Sequence, residues 1–231
     1  MNKTFSLLSD THGNQKITVD PCDFLLLSGD ICPLGIDTQP TLSEHWLNTT
    51  FNAWLEEQPA KHIIFIAGNH DFAFDRKPEH SHRINHIIDS LPENVHYLQD
   101  SEIIIDGIKF YGSPYTPWFW DWAFNLPKDD AIAAQACWGK IPSDTDVLLT
   151  HGPAAGILDA NKTYEPCGCP DLLNRIGQLR GLKLHLFGHI HDSFGSKQVG
   201  NTLHVNAAYG YSHELENRPK TAPIVEIDFS K

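Results

Sequence analysis

Positive charge is scarce in this chain: 17 Lys and Arg stand against 29 Asp and Glu, a formal net charge of −12. The basic residues are also scattered along the sequence. A broad nucleic-acid surface is therefore not expected, because nonspecific binding to DNA or RNA needs a dense row of cations facing the phosphates. Long apolar runs are missing too, and no segment approaches the ~18 continuous apolar residues of a membrane-spanning helix. Met1-Asn2-Lys3-Thr4 leads straight into a strand-like run with no apolar leader, so the cytoplasm is the expected compartment. Five cysteines, an odd number without regular spacing, do not suggest a secreted disulfide framework. No Gly/Ser-rich linker, charge run, internal repeat or low-complexity tract breaks the chain, and residues 1–231 are read as a single domain.

What the chain does have is a repeated arrangement. Five times a short apolar run ends in metal-ligand chemistry: Phe5 to Leu8 before Asp10 and His12, Phe24 to Leu27 before Asp30, Ile63 to Ile66 before Asn69 and His70, Val147 to Leu149 before His151, and Leu184 to Phe187 before His189 and His191. Buried strands read as nearly continuous hydrophobic runs, and open α/β sheets place ligand sites just beyond strand carboxyl ends. Five strand tips are therefore expected to converge on one polar cluster.

Further strand-like segments are Val95 to Leu98, Glu102 to Ile105, Ile108 to Tyr111, Thr202 to Asn206 and Pro223 to Phe229. Asp106-Gly107 between two of them predicts a hairpin. Helices are expected over Thr41 to Glu57, with Leu42, His45, Trp46, Thr49 and Ala53 as its stripe, and over His80 to Ser90, Asp129 to Cys137 and Asp171 to Leu179. Strands alternating with helices early, then a hairpin and more strands late, predict two layers of sheet with helices outside.

Asp10-Thr11-His12 places two ligands two residues apart, a spacing that lets both side chains reach one metal. Gly29-Asp30 adds a carboxylate whose two oxygens can bridge a pair of cations. Gly68-Asn69-His70-Asp71 supplies an amide oxygen and an imidazole, with Asp71 placed to orient the His70 ring and raise its basicity. His151-Gly152 and Gly188-His189-Ile190-His191 contribute three more imidazoles. Mixed nitrogen and oxygen donors suit Mn, Fe or Zn better than Ca or Mg. A pair of such ions roughly 3.5–4 Å apart clamps an in-line displacement at phosphorus, which makes phosphoester hydrolysis the natural reaction. It would also offset about four of the negative charges.

These blocks, Asp10-x-His12, Gly29-Asp30, Gly68-Asn69-His70-Asp71, His151-Gly152 and Gly188-His189-x-His191, together resemble the signature of calcineurin-like metallophosphoesterases. The resemblance implies an α/β fold, an αββα four-layer sandwich of two mixed β-sheets flanked by helices, with a dinuclear centre at the strand ends. By position it assigns Asp10, His12 and His191 to one metal, Asn69, His151 and His189 to the other, and Asp30 to the bridge. His70 would then protonate the leaving oxygen or bind phosphate. His151-Gly152-Pro153, Gly156-Ile157-Leu158-Asp159, Gly168-Cys169-Pro170-Asp171-Leu172-Leu173 and Trp122-Ala123-Phe124-Asn125 are similar to the small, cap-less metallophosphoesterase-domain branch, itself similar to class III cyclic-nucleotide phosphodiesterases. Asp30 is followed by Ile31-Cys32-Pro33, not by the Asp-Arg-Gly triplet of protein serine/threonine phosphatases, which disfavours that subfamily.

The aromatic stretch Tyr115 to Phe124 is read as a loop on which Trp118, Phe119 or Trp120 stacks a base or aryl group, with Trp122 and Phe124 in the core. Cys167-Gly168-Cys169 is read as a structural loop, His82 and His86 as a solvated helical face, and His213 as a candidate for the cleft lining. The expectation is a phosphodiesterase with two divalent or trivalent ions, Mn or Fe, Zn being admissible, in which metal-bound hydroxide attacks phosphorus in line. In it His70 and Asp71 serve catalysis while Asn69, His70, Trp118 and Phe119 bind a small, nucleotide-like phosphoester. No membrane partner is expected and a homodimer is admissible. The alternatives are a phosphomonoesterase and a non-catalytic metal-binding scaffold.

Overall fold

The computed structural model describes residues 1–75, 81–211 and 215–230; His80 and His213 lie outside the described residues. In chain order the strands are β1 (Asn2–Leu8), β2 (Cys22–Ser28), β3 (Ala60–Ile66), β4 (Val95–Tyr97), β5 (Ser101–Ile105), β6 (Ile108–Ser113), β7 (Val147–Thr150), β8 (Leu184–Phe187), β9 (Gly195–Val199), β10 (Thr202–Asn206) and β11 (Ile224–Asp228). The α-helices are α1 (Pro40–Trp46), α2 (Asn52–Glu56), α3 (Ser81–Asp89), α4 (Ala131–Trp138) and α5 (Pro170–Ile176).

One sheet has the order β11-β1-β2-β3-β4 and the other β5-β6-β7-β8-β10-β9. Within the first, β1 to β4 are parallel and β11 runs against β1. In the second, β6, β7, β8 and β10 are parallel, with β5 and β9 antiparallel at the edges. Both sheets are mixed.

Alternation along the strands sorts their side chains into three layers of core. Phe24 and Leu26 of β2 face inward and meet Phe110, Leu149 and Leu186 of the other sheet. Leu25 and Leu27 point the opposite way, onto Leu47, Phe51 and Leu55 of the helical segment before β3. On the far side Tyr111, Leu148 and Phe187 pack on Trp138 of α4 and Leu172 of α5. Helix, sheet, sheet, helix is thus the layer order. Each strand in the middle is buried on both faces, which is why it reads as an unbroken apolar run.

Two local features differ from the sequence expectation. The helix over 40–56 contains a π-helical turn, Leu47–Phe51, between α1 and α2. Its buried face is Ser43, Leu47, Phe51, Trp54 and Leu55, while Leu42, of the expected stripe, is exposed. The wider π turn keeps residues four apart in line, which rotates the stripe away from ordinary helical spacing. Ser43 tolerates burial because its hydroxyl donates to the Ile36 carbonyl at 2.6 Å. Strand β9 is mostly exposed and lacks an apolar alternation that would announce it. The Asp106-Gly107 hairpin is present, with Ile105 paired to Ile108 and both turn residues at positive φ, 53° and 77°.

Candidate metal centre

The strand tips turn sharply. Asp10, His12, Asp30 and His189 all adopt left-handed backbone, with φ of 52°, 44°, 53° and 66°. Each such residue costs about 1–2 kcal/mol, and surrounding hydrogen bonds hold them there. Asp10 N donates to Gly29 O at 2.9 Å, His12 N to Asp30 O at 3.0 Å, and Gly188 N to His151 O at 2.9 Å. Glycines leave room for the carboxylates. A Cβ on Gly188 would stand 1.9 Å from Asp10 Oδ2, and one on Gly68 would stand 2.3 Å from Asp30 Oδ1.

Two groups of donor atoms overlap at this point. Asp10, His12 and His191 have ligand atoms all within 4.8 Å of one another, and so do Asp10, Asp30 and His151. Oδ2 of Asp30, a member of the second group, is 3.4 Å from His151 Nε2 and 4.0 Å from His12 Nε2 of the first. Asn69 Oδ1 is 2.9 Å from the same His151 nitrogen. The His189 ring centre is 5.0 Å from that of His151. The seven expected ligands are therefore gathered in one place.

The electrostatics of the site suit cations. Burial pushes the Asp10 and Asp30 carboxyls up, but hydrogen bonds and charge from neighbouring histidines outweigh it, leaving Asp10 at about 2 and Asp30 well below the usual carboxylate range. Burial lowers His151, yet the Asp30 charge and hydrogen bond raise it to about 9. Burial, helped by His151, takes His189 down to about 4, and burial lowers His12 as well. Both of those rings are neutral and able to donate a lone pair. His151 Nδ1 faces the Ser28 carbonyl at 2.8 Å, which directs Nε2 into the site. Both ring nitrogens of His12 are buried with no hydrogen-bond partner among the described residues. A buried, unpartnered imidazole between two buried carboxylates is costly without a ligand, and the residues present fit a pair of cations.

His70 stands beside this cluster without belonging to either group. Its backbone N–H donates to Asp30 Oδ1 at 2.8 Å, and its Nδ1 is 2.6 Å from Asp37 Oδ2. That pairing leaves Nε2 for another partner. The cluster opens into a cleft of about 1340 Å³ lined by Trp118, Phe119 and Trp122 and by Asn161, Lys162 and Arg218 among others. The aromatic wall is a pinned loop, since Asn125 Oδ1 accepts from Phe119 N at 3.2 Å and Asn125 Nδ2 donates to Trp120 O at 2.6 Å. The Phe119 ring centre lies 6.4 Å from that of His189.

A family model described as calcineurin-like phosphoesterase matches residues 3–193. The chain belongs to that family. Metallophosphoesterase domain-containing protein 1 of Homo sapiens is 36% identical over 243 residues, spanning 96% of this chain and 69% of the relative. A UPF0046 protein of Caenorhabditis elegans is 33% identical over 221 residues, 92% of this chain and 72% of the relative. Among solved structures, phosphopantetheinyl hydrolase of Mycobacterium tuberculosis superposes with a TM-score of 0.57 at 14% identity, covering 93% of this chain and 92% of its own, a likeness of fold. The family uses a dinuclear metal centre, and the overlapping donor groups around Asp10 lie where this chain could hold one.

Within the family frame, two residues depart from the sequence expectation. Asp71 does not orient His70. Its carboxylate accepts instead from the backbone N–H of Ile31 (3.1 Å), Cys32 (2.9 Å) and Gly68 (2.8 Å), clamping the Asp30 loop to the Asn69 loop. Burial and the nearby Asp30 charge push its carboxyl up to about 6. The ring partner is Asp37, an acid in a Pro- and Gly-containing loop seven positions after Asp30, a place only the folded loop brings to His70. Trp122 is not core: it lines the cleft, and its ring centre is 4.1 Å from that of His70. Phe124 is buried, as read from sequence. Among the described residues no helix is long and apolar enough to cross a membrane. Cys169 is buried and accepts from Trp138 Nε1 at 3.2 Å, consistent with a structural loop, and all five cysteines are free.

Proposed function

We propose that this chain is a dinuclear-metal-dependent phosphodiesterase. The observation that carries the reading is the pair of overlapping donor groups sharing Asp10, with Asp30 of one group 4.0 Å from His12 of the other and the Asp37-held His70 alongside. A bound pair of Mn or Fe ions, with Zn admissible, would activate water and neutralise charge on the phosphoryl oxygens. Asp10, His12 and His191 would hold one ion, Asn69, His151 and His189 the other, and Asp30 would bridge. Asp37 accepts from His70 Nδ1–H and fixes the ring, and in its imidazolium form the ring gives its Nε2 proton to the departing oxygen and is left neutral with Nδ1–H still on Asp37. Asn69 and His70 contact the phosphoryl group, and Trp118 with Phe119 takes up a planar substituent.

Cleft size supports a diester. A phosphodiester carries two substituents on phosphorus, and a cleft of about 1340 Å³ has room for both. The test is a side-by-side rate measurement on an aryl phosphomonoester and a bis-aryl phosphodiester, with metal content measured on the same protein. Faster diester hydrolysis by protein carrying two ions is expected. A clear monoester preference would make the chain a phosphomonoesterase, and bound metal without turnover on either would leave a scaffold.

A further inference from the structure

Metal-ligating histidines nearly always donate their other ring N–H to a carboxylate or carbonyl, which sets the ring plane. His151 does so through Ser28 O. Among the described residues His12 has no such partner on either ring nitrogen, and the carboxylate nearest its Nε2, Asp30 Oδ2, is 4.0 Å away. Its backbone is left-handed as well. What confines the ring is aromatic contact. Tyr211 stacks on it at 5.0 Å between centroids and 28° between planes, and the His70 ring meets it edge-on at 5.1 Å and 89°. Tyr211 also meets His191 at 4.8 Å and 68°. It thus touches both imidazoles of the Asp10, His12, His191 group. The segment that delivers it is tied to the Asp10 loop, because Tyr209 N donates to Ser9 O at 2.9 Å and Gly210 N to Asp10 O at 3.0 Å.

We propose that Tyr211 is a positioning residue for the first metal group: its ring does for His12 what a hydrogen bond does for other ligating histidines. The inference rests on the two-ion reading given above. The ring face, more than the phenol hydroxyl, is the working part, since stacking fixes the imidazole plane without engaging either nitrogen. Loss of the ring should therefore weaken one metal site selectively.

The test titrates metal-free full-length protein with Mn(II), reading binding by calorimetry and free Mn(II) by electron paramagnetic resonance, for the unaltered chain, Tyr211→Phe and Tyr211→Leu. The unaltered chain and Tyr211→Phe should bind two ions with affinities within about twofold of each other's values. Tyr211→Leu should bind one ion as before and the other about 10-fold or more weakly, the range found when a residue supporting a metal ligand is lost. Thermal unfolding of the metal-free proteins reports whether the variant folds, and if it does not, Tyr211→Met, which fills similar space without a ring, carries the same expectation. Unchanged binding in the ringless variant overturns the proposal. So does equal weakening in Tyr211→Phe, which would point to the hydroxyl, or equal weakening of both sites, which would point to general support. Failure of the unaltered chain to take up a pair of ions overturns the proposed function itself, together with this inference.

Discussion

His70 is where single side chains separate chemistry from scaffold. If Nε2 protonates the leaving oxygen, its removal matters in proportion to how poorly that oxygen leaves. His70→Ala should reduce kcat about 10²–10⁴-fold on an alkyl diester and far less on a p-nitrophenyl diester, the range for general acid catalysis. Asp37→Asn should show the same leaving-group pattern with a smaller loss, since the 2.6 Å contact to Nδ1 acts through the ring. Metal content should be unchanged in both. A loss independent of leaving group would assign His70 to phosphate binding instead. The residues gathered at the strand tips could be picked out in sequence because each follows its strand within a few positions. Asp37 could not, since its relation to His70 is made by a loop closing across 33 residues. Asp71, adjacent in sequence, turns its carboxylate to three backbone N–H groups, and adjacency misled.

At the scale of elements, strand existence was legible wherever both faces are covered and opaque where neither is. β2 and β3 have continuous apolar runs because each packs on a helix and on the other sheet, whereas β9 is an edge strand recognisable only by its pairing with β10. A less visible feature of β8 and β10 is a buried imidazole pair. His185 and His204 are in register on one face, with Nδ1 atoms 3.1 Å apart, and His185 Nε2 is 2.9 Å from Thr150 Oγ1. Thr150 Oγ1 donates to Gly152 O at 2.7 Å, so it accepts from His185 Nε2–H, and His204 must be the donor between the two rings. The chain of donors needs His185 neutral, since its Nδ1 must accept. Burial lowers His204 from 6.5 to about 4 and His185 well below its ordinary value, with like charge adding to the effect. Between pH 6.5 and about 4 the unfolded chain binds protons that the folded one refuses. Stability should therefore rise with pH through that window and flatten above it, by on the order of 3 kcal/mol for His204. Urea unfolding at pH 5 and pH 7.5 checks this: His204→Gln should shrink the difference between the two pH values, and an unchanged difference would assign the acid sensitivity elsewhere.

For the whole molecule, the scarcity of positive charge and the gathered carboxylates belong to one argument. Two sheets bring Asp10 and Asp30, both nearly inaccessible, into the same small volume of a chain already at −12. Composition showed the imbalance, and the motifs showed where cations would offset it, but the depth of burial needed the sandwich. The cleft walls were less legible: Trp118 and Phe119 could be named from aromatic density, whereas Asn161, Lys162 and Arg218 reach the cleft from loops with no motif of their own. Ions that bind only the folded chain stabilise it by mass action, about 2.7 kcal/mol for one site at a hundredfold excess over Kd. For a chain of this size each kcal/mol moves Tm by about 2–4 °C. Removing metal with a chelator should then lower Tm by about 5–10 °C for each site so saturated, and adding Mn(II) back should restore it. Gly188→Ala supplies the control, because its new Cβ would collide with Asp10 Oδ2 in the shared donor group. Its Tm should start lower and respond little to chelator or Mn(II), whereas a full metal response in that variant would place the stabilising ions away from Asp10.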